Sequence, residues 1–354
     1  MTSDTFISFS VWKAKLFLLW WRRIIFAPDH FAKRPLLKLH LALHGGYVLD
    51  QYYIYDFKHN DRREYLSEFD WYRSRNINKP YDMMCNNKVI ATEVLEQYVR
   101  VPRVLMQKNH GKIVSLAKDI DRGFLTSDDA ADLLDRTGTL YLKPLAAGKG
   151  KGVYRLTNAS GAYYIDDQRK SRDDLRRFLD KQDGWFLSEG ITQGAFGRAL
   201  YPDATHTIRF ITLRDPETGH IKPFFAVQRI GTSETAPVDN GSRGGLVARI
   251  NMDTGELSEA KCLQKLGSWD RHPDSGAQIK GAVIPRWQDV KRQMVDLARK
   301  LPFMNFIAWD ILLTDEGISI IEANTSSGVN IIQLWGPQRN GELGRFYRAH
   351  GCIK

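Results

Sequence analysis

The chain has 354 residues, with 51 Lys plus Arg against 41 Asp plus Glu, 43% hydrophobic residues, 28 Gly and 13 Pro. That apolar share excludes disorder for most of the chain, and the length holds two or three folding units, so a cleft between units is a natural place for a site. A net charge of +10 admits nucleic acid, an anionic membrane surface or an anionic small molecule such as a nucleotide, and composition alone does not separate these.

Residues 6–26 (FISFSVWKAKLFLLWWRRIIF) are heavily apolar yet carry Lys13, Lys15, Arg22 and Arg23. The longest uncharged run, 16–21, is far shorter than the roughly 20 apolar residues that span a bilayer. The stretch does not read as a signal peptide either, because its charges lie inside and after the apolar part and no small-residue cleavage site follows. On a helical wheel the four basic residues scatter around the circumference, so two readings stand. One is a helix packed onto the body of the protein or a partner. The other is an interfacial anchor on the inner face of a membrane, with Trp12, Trp20 and Trp21 at headgroup depth and the basic stems reaching anionic lipid. The first eighty residues read as helix-rich, with Leu36 to Leu43 stopped at Gly45-Gly46, and 88–98 is a further helix ahead of Pro102.

From Thr139 onward, short β-runs separated by turn residues are expected at 140–143, 153–156, 185–188, 205–213 and 221–229. Helices are expected at 172–181 and at 287–301, where Val290, Met294, Leu297 and Leu301 recur at helical spacing. The sum is an α+β chain whose last two hundred residues hold mostly antiparallel β-structure. Cys85, Cys262 and Cys352 are far apart, without a C-x-x-C pair or histidines at zinc spacing, which supports neither disulfides nor zinc and makes a reducing cytosol the expected compartment.

Two segments carry chemistry. In 141–153 (YLKPLAAGKGKGV) a strand with Lys143 leads into a loop with Gly148, Gly150 and Gly152, then a second strand. Alternate glycines let backbone N–H groups approach an anion, and Lys143, Lys149 and Lys151 add charge, which suits a polyphosphate. It is neither a Walker loop nor a dinucleotide fingerprint, because no G-K-S/T opens a helix and a strand follows the glycines; the bland reading is a basic hairpin tip. In 306–324 (FIAWDILLTDEGISIIEAN) two strands flank Asp315-Glu316-Gly317. A three-residue hairpin loop there pairs Thr314 with Ile318 and sets Asp310 opposite Glu322, with Asn324 on the same face. Two adjacent carboxylates in apolar company call for positive charge between them, and Mg2+ is the economical answer, with Asn324 as a neutral oxygen donor.

The Lys-Pro strand, Gly-rich flap and Asp…Glu-x-Asn, in that order, resemble the ATP-grasp family, most of all its sugar-transfer-associated branch and the neighbouring teichuronopeptide-synthesis and glutamate-ligase-like proteins. The resemblance covers about 81–351. It implies an ATP-grasp domain over 81–354, with a lid at about 103–187 and a metal-bearing base at about 188–354, preceded by the helix-rich region 1–80. It implies ATP and Mg2+ as cofactors, with Lys88 and Lys143 on the ATP phosphates, Gly148, Lys149, Gly150, Lys151 and Gly152 as the flap, and Ser188, Glu189, Gly190 and Ile191 at the hinge that meets adenine. Gln193 stands where the family's pattern has a carboxylate for the ribose. Arg209 matches the basic residue that steadies the transferred phosphoryl group, and Asp310, Glu322 and Asn324 match the metal ligands. The segment 229–248, with Arg229, Asn240, Arg243, Gly244 and Gly245, resembles a loop facing the substrate; its bland reading is a glycine-rich turn.

The activity so implied is an ATP-dependent carboxylate–amine ligase working through an acyl phosphate, on a carboxylate and an amine linked to an envelope saccharide or an amino acid, in the cytoplasm or at the inner membrane face. A small-molecule kinase using the same fold and a non-catalytic basic binding protein are the competing readings. Nucleic acid is not expected, because no clustered basic stripe with interleaved aromatics is present. His206 on its alternating strand is expected to be structural, and Cys85 to be a small packed hydrophobe.

Overall fold

Short apolar runs cannot bury a face singly, so they pair, and this chain pairs them into two sheets. The structure, a computed structural model, describes residues 13–116, 123–145, 152–241 and 244–354. Its strands are β1 (Val104–Asn109), β2 (Lys112–Ser115), β3 (Phe124–Leu125), β4 (Thr139–Pro144), β5 (Tyr154–Ala159), β6 (Ala162–Ile165), β7 (Gln168–Lys170), β8 (Trp185–Glu189), β9 (Thr207–Arg214), β10 (Ile221–Ile230), β11 (Leu246–Ile250), β12 (Leu257–Cys262), β13 (Ser268–Trp269), β14 (Phe306–Leu313) and β15 (Ile318–Asn324). One sheet has the order β3-β2-β1-β8-β4-β5-β6-β7, the other β13-β12-β11-β10-β9-β14-β15. The first is antiparallel throughout, as are the ladders from β9 to β13. The chain divides into two compact units, one of Met1–Asp82, Phe196–Asp310 and Asn324–Lys354, the other of Met83–Ala195 with Ile311–Ala323.

The second of these units holds the eight-stranded sheet. Helices Ser127–Thr137 and Arg172–Lys181 each begin with a reciprocal cap, Thr126 with Asp129 and Ser171 with Asp174, which satisfies N–H groups that a helix start leaves open. Their apolar stripes bury Leu134, Leu175 and Leu179 in one cluster with Leu140, Leu142, Leu156, Trp185 and Leu187 of the sheet. The turn between β14 and β15 closes with the Thr314 N–H donating to the Gly317 carbonyl at 2.8 Å, one residue short of the Thr314–Ile318 closure expected from sequence.

In the first unit, period-two alternation gives β9 and β14 two apolar faces. Phe210 meets Trp287 of helix Trp287–Arg299, with ring centroids 5.9 Å apart. Ile211, Leu213, Phe306 and Ala308 join Leu66, Val329, Ile332, Leu343, Phe346 and Tyr347 in a second cluster. Leu66 comes from the N-terminal helical region, which is tied in by buried polar groups. Gln51 and Tyr55 reach Asn330 Oδ1, each at 2.7 Å. Asn78 donates to the Phe306 carbonyl at 2.6 Å and accepts from the Asn305 and Phe306 N–H groups at 2.8 and 3.1 Å.

Helix Pro35–Leu43 ends just before Gly45-Gly46, as expected. Residues 13–20 are helical and run into a π-turn, Trp21–Ile25. Ile24 is buried with Ala42 and Val48, and the Trp20 indole N–H donates to the Ala42 carbonyl at 3.3 Å. The N-terminal helix therefore packs on the body through one side. Among the described residues no helix is long and apolar enough to cross a membrane; residues 6–12 lie outside them.

Asn78→Ala strands three buried backbone groups of the β14 entry, so it is expected to cost on the order of 3 kcal/mol of stability, measured as a lowered urea midpoint.

Candidate active site

The same alternation that builds the core sets a charged chain of contacts at its end. Asp310 shares a face of β14 with Phe306 and Ala308, Arg209 shares a face of β9 with Ile211 and Leu213, and Val227, two residues before Arg229 on β10, is the register partner of Arg209. Asp310 is 6% exposed. Arg209 grips it with Nε at 2.5 Å from Oδ1 and Nη2 at 3.1 Å from Oδ2, and Arg229 adds Nη1 at 3.1 Å. Burial pushes the Asp310 carboxyl up, but the charges of Arg209 and Arg229 outweigh it and hold the group below the usual carboxylate range. Behind Arg229 stands Asp239, 2.9 Å from Nη2 and itself accepting from the Thr207 N–H and hydroxyl at 2.6 and 2.5 Å. Arg209 Nη1 also reaches the Ser327 hydroxyl at 3.4 Å. The Asn324 amide nitrogen donates to the Ala308 carbonyl at 3.3 Å, which leaves the amide oxygen for another partner.

A second charged group forms in the other unit. Lys88 opens helix Lys88–Leu95, whose start is fixed by the Asn87 side chain accepting from the Val89 and Ile90 N–H groups. Its Nζ lies 3.3 Å from Glu322 Oε1. Lys143, near the end of β4 and in register with Phe186 of β8, is partly buried. Loss of water and the neighbouring Lys88 charge push its pKa down to about 8, with Glu322 pulling the other way. Gly152 is an exposed turn residue just ahead of β5, whereas Gly148, Lys149, Gly150 and Lys151 lie outside the described residues.

On β8, Ser188 is 1% exposed and its hydroxyl has no hydrogen-bond partner among the described residues. Glu189 is held by Arg103, whose Nε donates at 2.8 Å, so its carboxylate already has a protein partner. A Cβ on Gly190 would fall 3.2 Å from both Thr139 Cγ2 and Tyr141 Cε2, so glycine lets β8 leave the sheet close to β4. Ile191 is half-buried and Gln193 is buried.

In 229–248, a Cβ on Gly245 would sit 3.0 Å from the Asn240 carbonyl, and the Gly245 N–H donates to that carbonyl at 3.2 Å. Gly244 and Gly245 lead directly into β11. Arg243 lies outside the described residues. His206 is structural, as expected: Nδ1 accepts from the Gly231 N–H at 3.0 Å, Nε2 faces the Tyr201 carbonyl at 2.8 Å, and burial lowers its pKa. Cys85 is a buried free thiol.

The sequence from 68 to 342 matches the model of the sugar-transfer associated ATP-grasp family. The chain belongs to that family. Its two antiparallel sheets with flanking helices are the α+β fold expected from its sequence. Among curated proteins none matches the sequence significantly. Similar solved structures include the ATP-grasp ligase PsnB complexed with minimal precursor (14% identity, TM-score 0.41, covering 77% of this chain and 64% of that one). Others are the VanG D-Ala:D-Ser ligase from Enterococcus faecalis (13%, 0.41, 76% and 60%) and the D-alanine-D-alanine ligase from Coxiella burnetii (12%, 0.35, 70% and 49%). The chain thus spans about half to two thirds of the length of these proteins, and values this low say nothing about substrate.

The residues present fit the family's nucleotide and metal in chemistry. Lys143, with its pKa pushed down to about 8, and the Ser188 hydroxyl, without a hydrogen-bond partner among the described residues, are groups that a polar ligand would satisfy. Mg2+ is usually held by one or two carboxylates with phosphate oxygens and water, and Asp310, Glu322 and the Asn324 amide have that donor chemistry. Among the described residues no three His, Cys, Asp or Glu gather into a closed cage. In this structure Arg209 and Arg229 pair with Asp310, and Lys88 pairs with Glu322. Asp239, Thr207, Ser327 and Arg103 were not singled out from sequence; the only signal was that Asp239 stands in the same turn-rich stretch as Asn240.

Because folding lowers the Lys143 pKa, its charged form costs stability below pH 8, and the cost fades as pH climbs toward the ordinary lysine value near 10.4. Lys143→Met should therefore raise Tm at pH 7, by an amount that shrinks above pH 8 in a thermal scan series.

Proposed function

We propose that this ATP-grasp enzyme is a carboxylate–amine ligase that works through an acyl phosphate. The observation that carries the reading is the Lys88, Lys143 and Glu322 group, in which Lys88 pairs with Glu322 at 3.3 Å and the charges of both act on the desolvated Lys143. Such a surplus of positive charge favours a polyanion the size of a triphosphate. In this reading Lys88 and Lys143 take phosphate oxygens, the loop from Gly148 to Gly152 closes over them, and 103–187 and 188–354 act as lid and base. The β8 backbone with Ser188, Glu189, Gly190 and Ile191 meets the adenine, and Gln193 meets the ribose.

Asp310, Glu322 and Asn324 would hold Mg2+, which when bound supplies further charge neutralisation at the transferred phosphate. A substrate carboxylate oxygen attacks the γ-phosphorus and ADP leaves, with Arg209 steadying the phosphoryl group. An amine then attacks the acyl carbon, inorganic phosphate leaves, and an amide forms; a closed loop keeps water from the intermediate. Arg229, Asn240, Arg243, Gly244 and Gly245 are assigned to the substrate side. The family description and the basic, anion-favouring site support an envelope saccharide or amino-acid substrate met on the cytoplasmic side, where ATP is available.

The test is ADP release from ATP and Mg2+ with panels of carboxylates and amines. Lys143→Ala and Asp310→Asn should each lower it about 100-fold or more, with an amide as the product in mass spectrometry. Full activity in both variants contradicts the site assignment, and a phosphorylated product formed without any amine makes the enzyme a kinase.

A further inference from the structure

Between residues 1 and 45 the chain carries seven Lys and Arg against two Asp, and its apolar residues there do not all turn inward. Phe17, Leu18, Trp21 and Phe26 are exposed on the N-terminal helix, as are Leu36, Leu39 and Leu43 on the next, with Leu36 at 84%. Phe17 stacks against Trp20 and Trp21, and Trp21 meets Phe26 edge-on, so the aromatic part is continuous. Leu36, Leu39 and Leu43 recur at spacings of three and four and so share one helix face. Large apolar side chains exposed together on two successive helices mark an interaction surface.

At its edge lies a cavity of about 520 Å³ that Trp20 and Leu43 help to line, and its other walls include Arg62, Arg63, Arg73 and Arg339. The negative charges against these arginines are Asp70, which takes Arg339 at 2.9 Å and Arg73 at 3.8 Å, and Asp61, which takes Arg63. Four cations thus face two carboxylates. Arg62 has no ion-pair partner among the described residues.

We propose that this cavity receives the anionic headgroup of a bilayer phospholipid while the neighbouring aromatic and leucine patch enters the acyl boundary, so that the N-terminal region docks the enzyme on an anionic membrane surface. Charge complementarity selects this occupant: a phosphate in the cavity meets surplus arginine, and the apolar rim beside it meets the chains that the headgroup carries. Tryptophans at the rim suit headgroup depth. The inference is independent of the ligase reading, since none of these residues belongs to the nucleotide or Mg2+ assignments.

The experiment is co-sedimentation of the full chain with vesicles of phosphatidylglycerol or of phosphatidylcholine. The expected result is at least 10-fold tighter binding to the anionic vesicles, lowered roughly 20-fold by Arg62→Glu, a change of two charges. It should be abolished by Leu36→Asp with Leu39→Asp, two exposed positions whose change leaves the circular-dichroism spectrum and ATP turnover as in the unaltered protein. Equal binding of all variants, or none by the unaltered chain, overturns the proposal. A patch covered instead by a second copy, seen as a dimer in gel filtration that Leu36→Asp dissolves without any vesicle binding, also overturns it. So does saturation by free inorganic phosphate with no vesicle affinity, which makes the cavity a soluble-anion site.

Discussion

Two lysines act on one carboxylate, Lys88 as its ion-pair partner and Lys143 through its field, and the proposed chemistry depends on this surplus of positive charge. Lys88 is placed by an asparagine cap and Lys143 by the end of a strand, and Glu322 is the carboxylate that answers both. Bringing like charges together where water is scarce is costly, and Lys143 registers the cost as a lowered pKa. A fold that keeps such a cluster gains from it only when an anion arrives. The arginine group of the other unit has the opposite character: Arg209 and Arg229 are matched by Asp310 and Asp239, so charge there is balanced within the protein. In the proposed reading the first arrangement takes the nucleotide phosphates, while the second keeps Arg209 and Asp310 oriented for the transferred phosphoryl group and its metal.

Both arrangements stand on hydrophobic packing. Arg209 and Asp310 are charged members of strand faces whose other positions, Ile211 and Leu213 on β9 and Phe306 and Ala308 on β14, lie in a closed cluster, so their directions are fixed by burial of neighbours. On β4, Leu140 and Leu142 bury the face opposite Lys143 and so fix the strand that carries it. A charged group held by a packed strand reorganises little when its ligand binds, which is the condition for electrostatic stabilisation of a transferred phosphoryl group.

Strongly periodic segments were legible from sequence. The helix expected at 172–181 is Arg172–Lys181, the one expected at 287–301 is Trp287–Arg299, and the runs around 140, 185, 205 and 221 are all strands. Strands β1 to β3 were not read, because VLMQKN and its neighbours mix apolar and polar residues and bury only alternate positions. In the charged groups, residue types on one hairpin were legible but their partners were not. Sequence sets Asp310 near Glu322 and suggests a metal between them, whereas the cations that answer Asp310 come from β9 and β10, about 100 and 80 residues away in sequence. Asp239, which holds Arg229 and Thr207, has no periodic signature, because it sits in a turn.

The account rests on Lys143 waiting, half charged near pH 8, for a polyanion. Isothermal titration of Mg2+ with a non-hydrolysable ATP analogue at pH 8, in buffers of different ionisation enthalpy, counts the protons taken up on binding. Recharging Lys143 should take up a fraction of a proton per nucleotide, and Lys143→Met should bind more weakly with that uptake gone. Binding with the same proton count in both proteins, or no nucleotide binding by the unaltered chain, would contradict it.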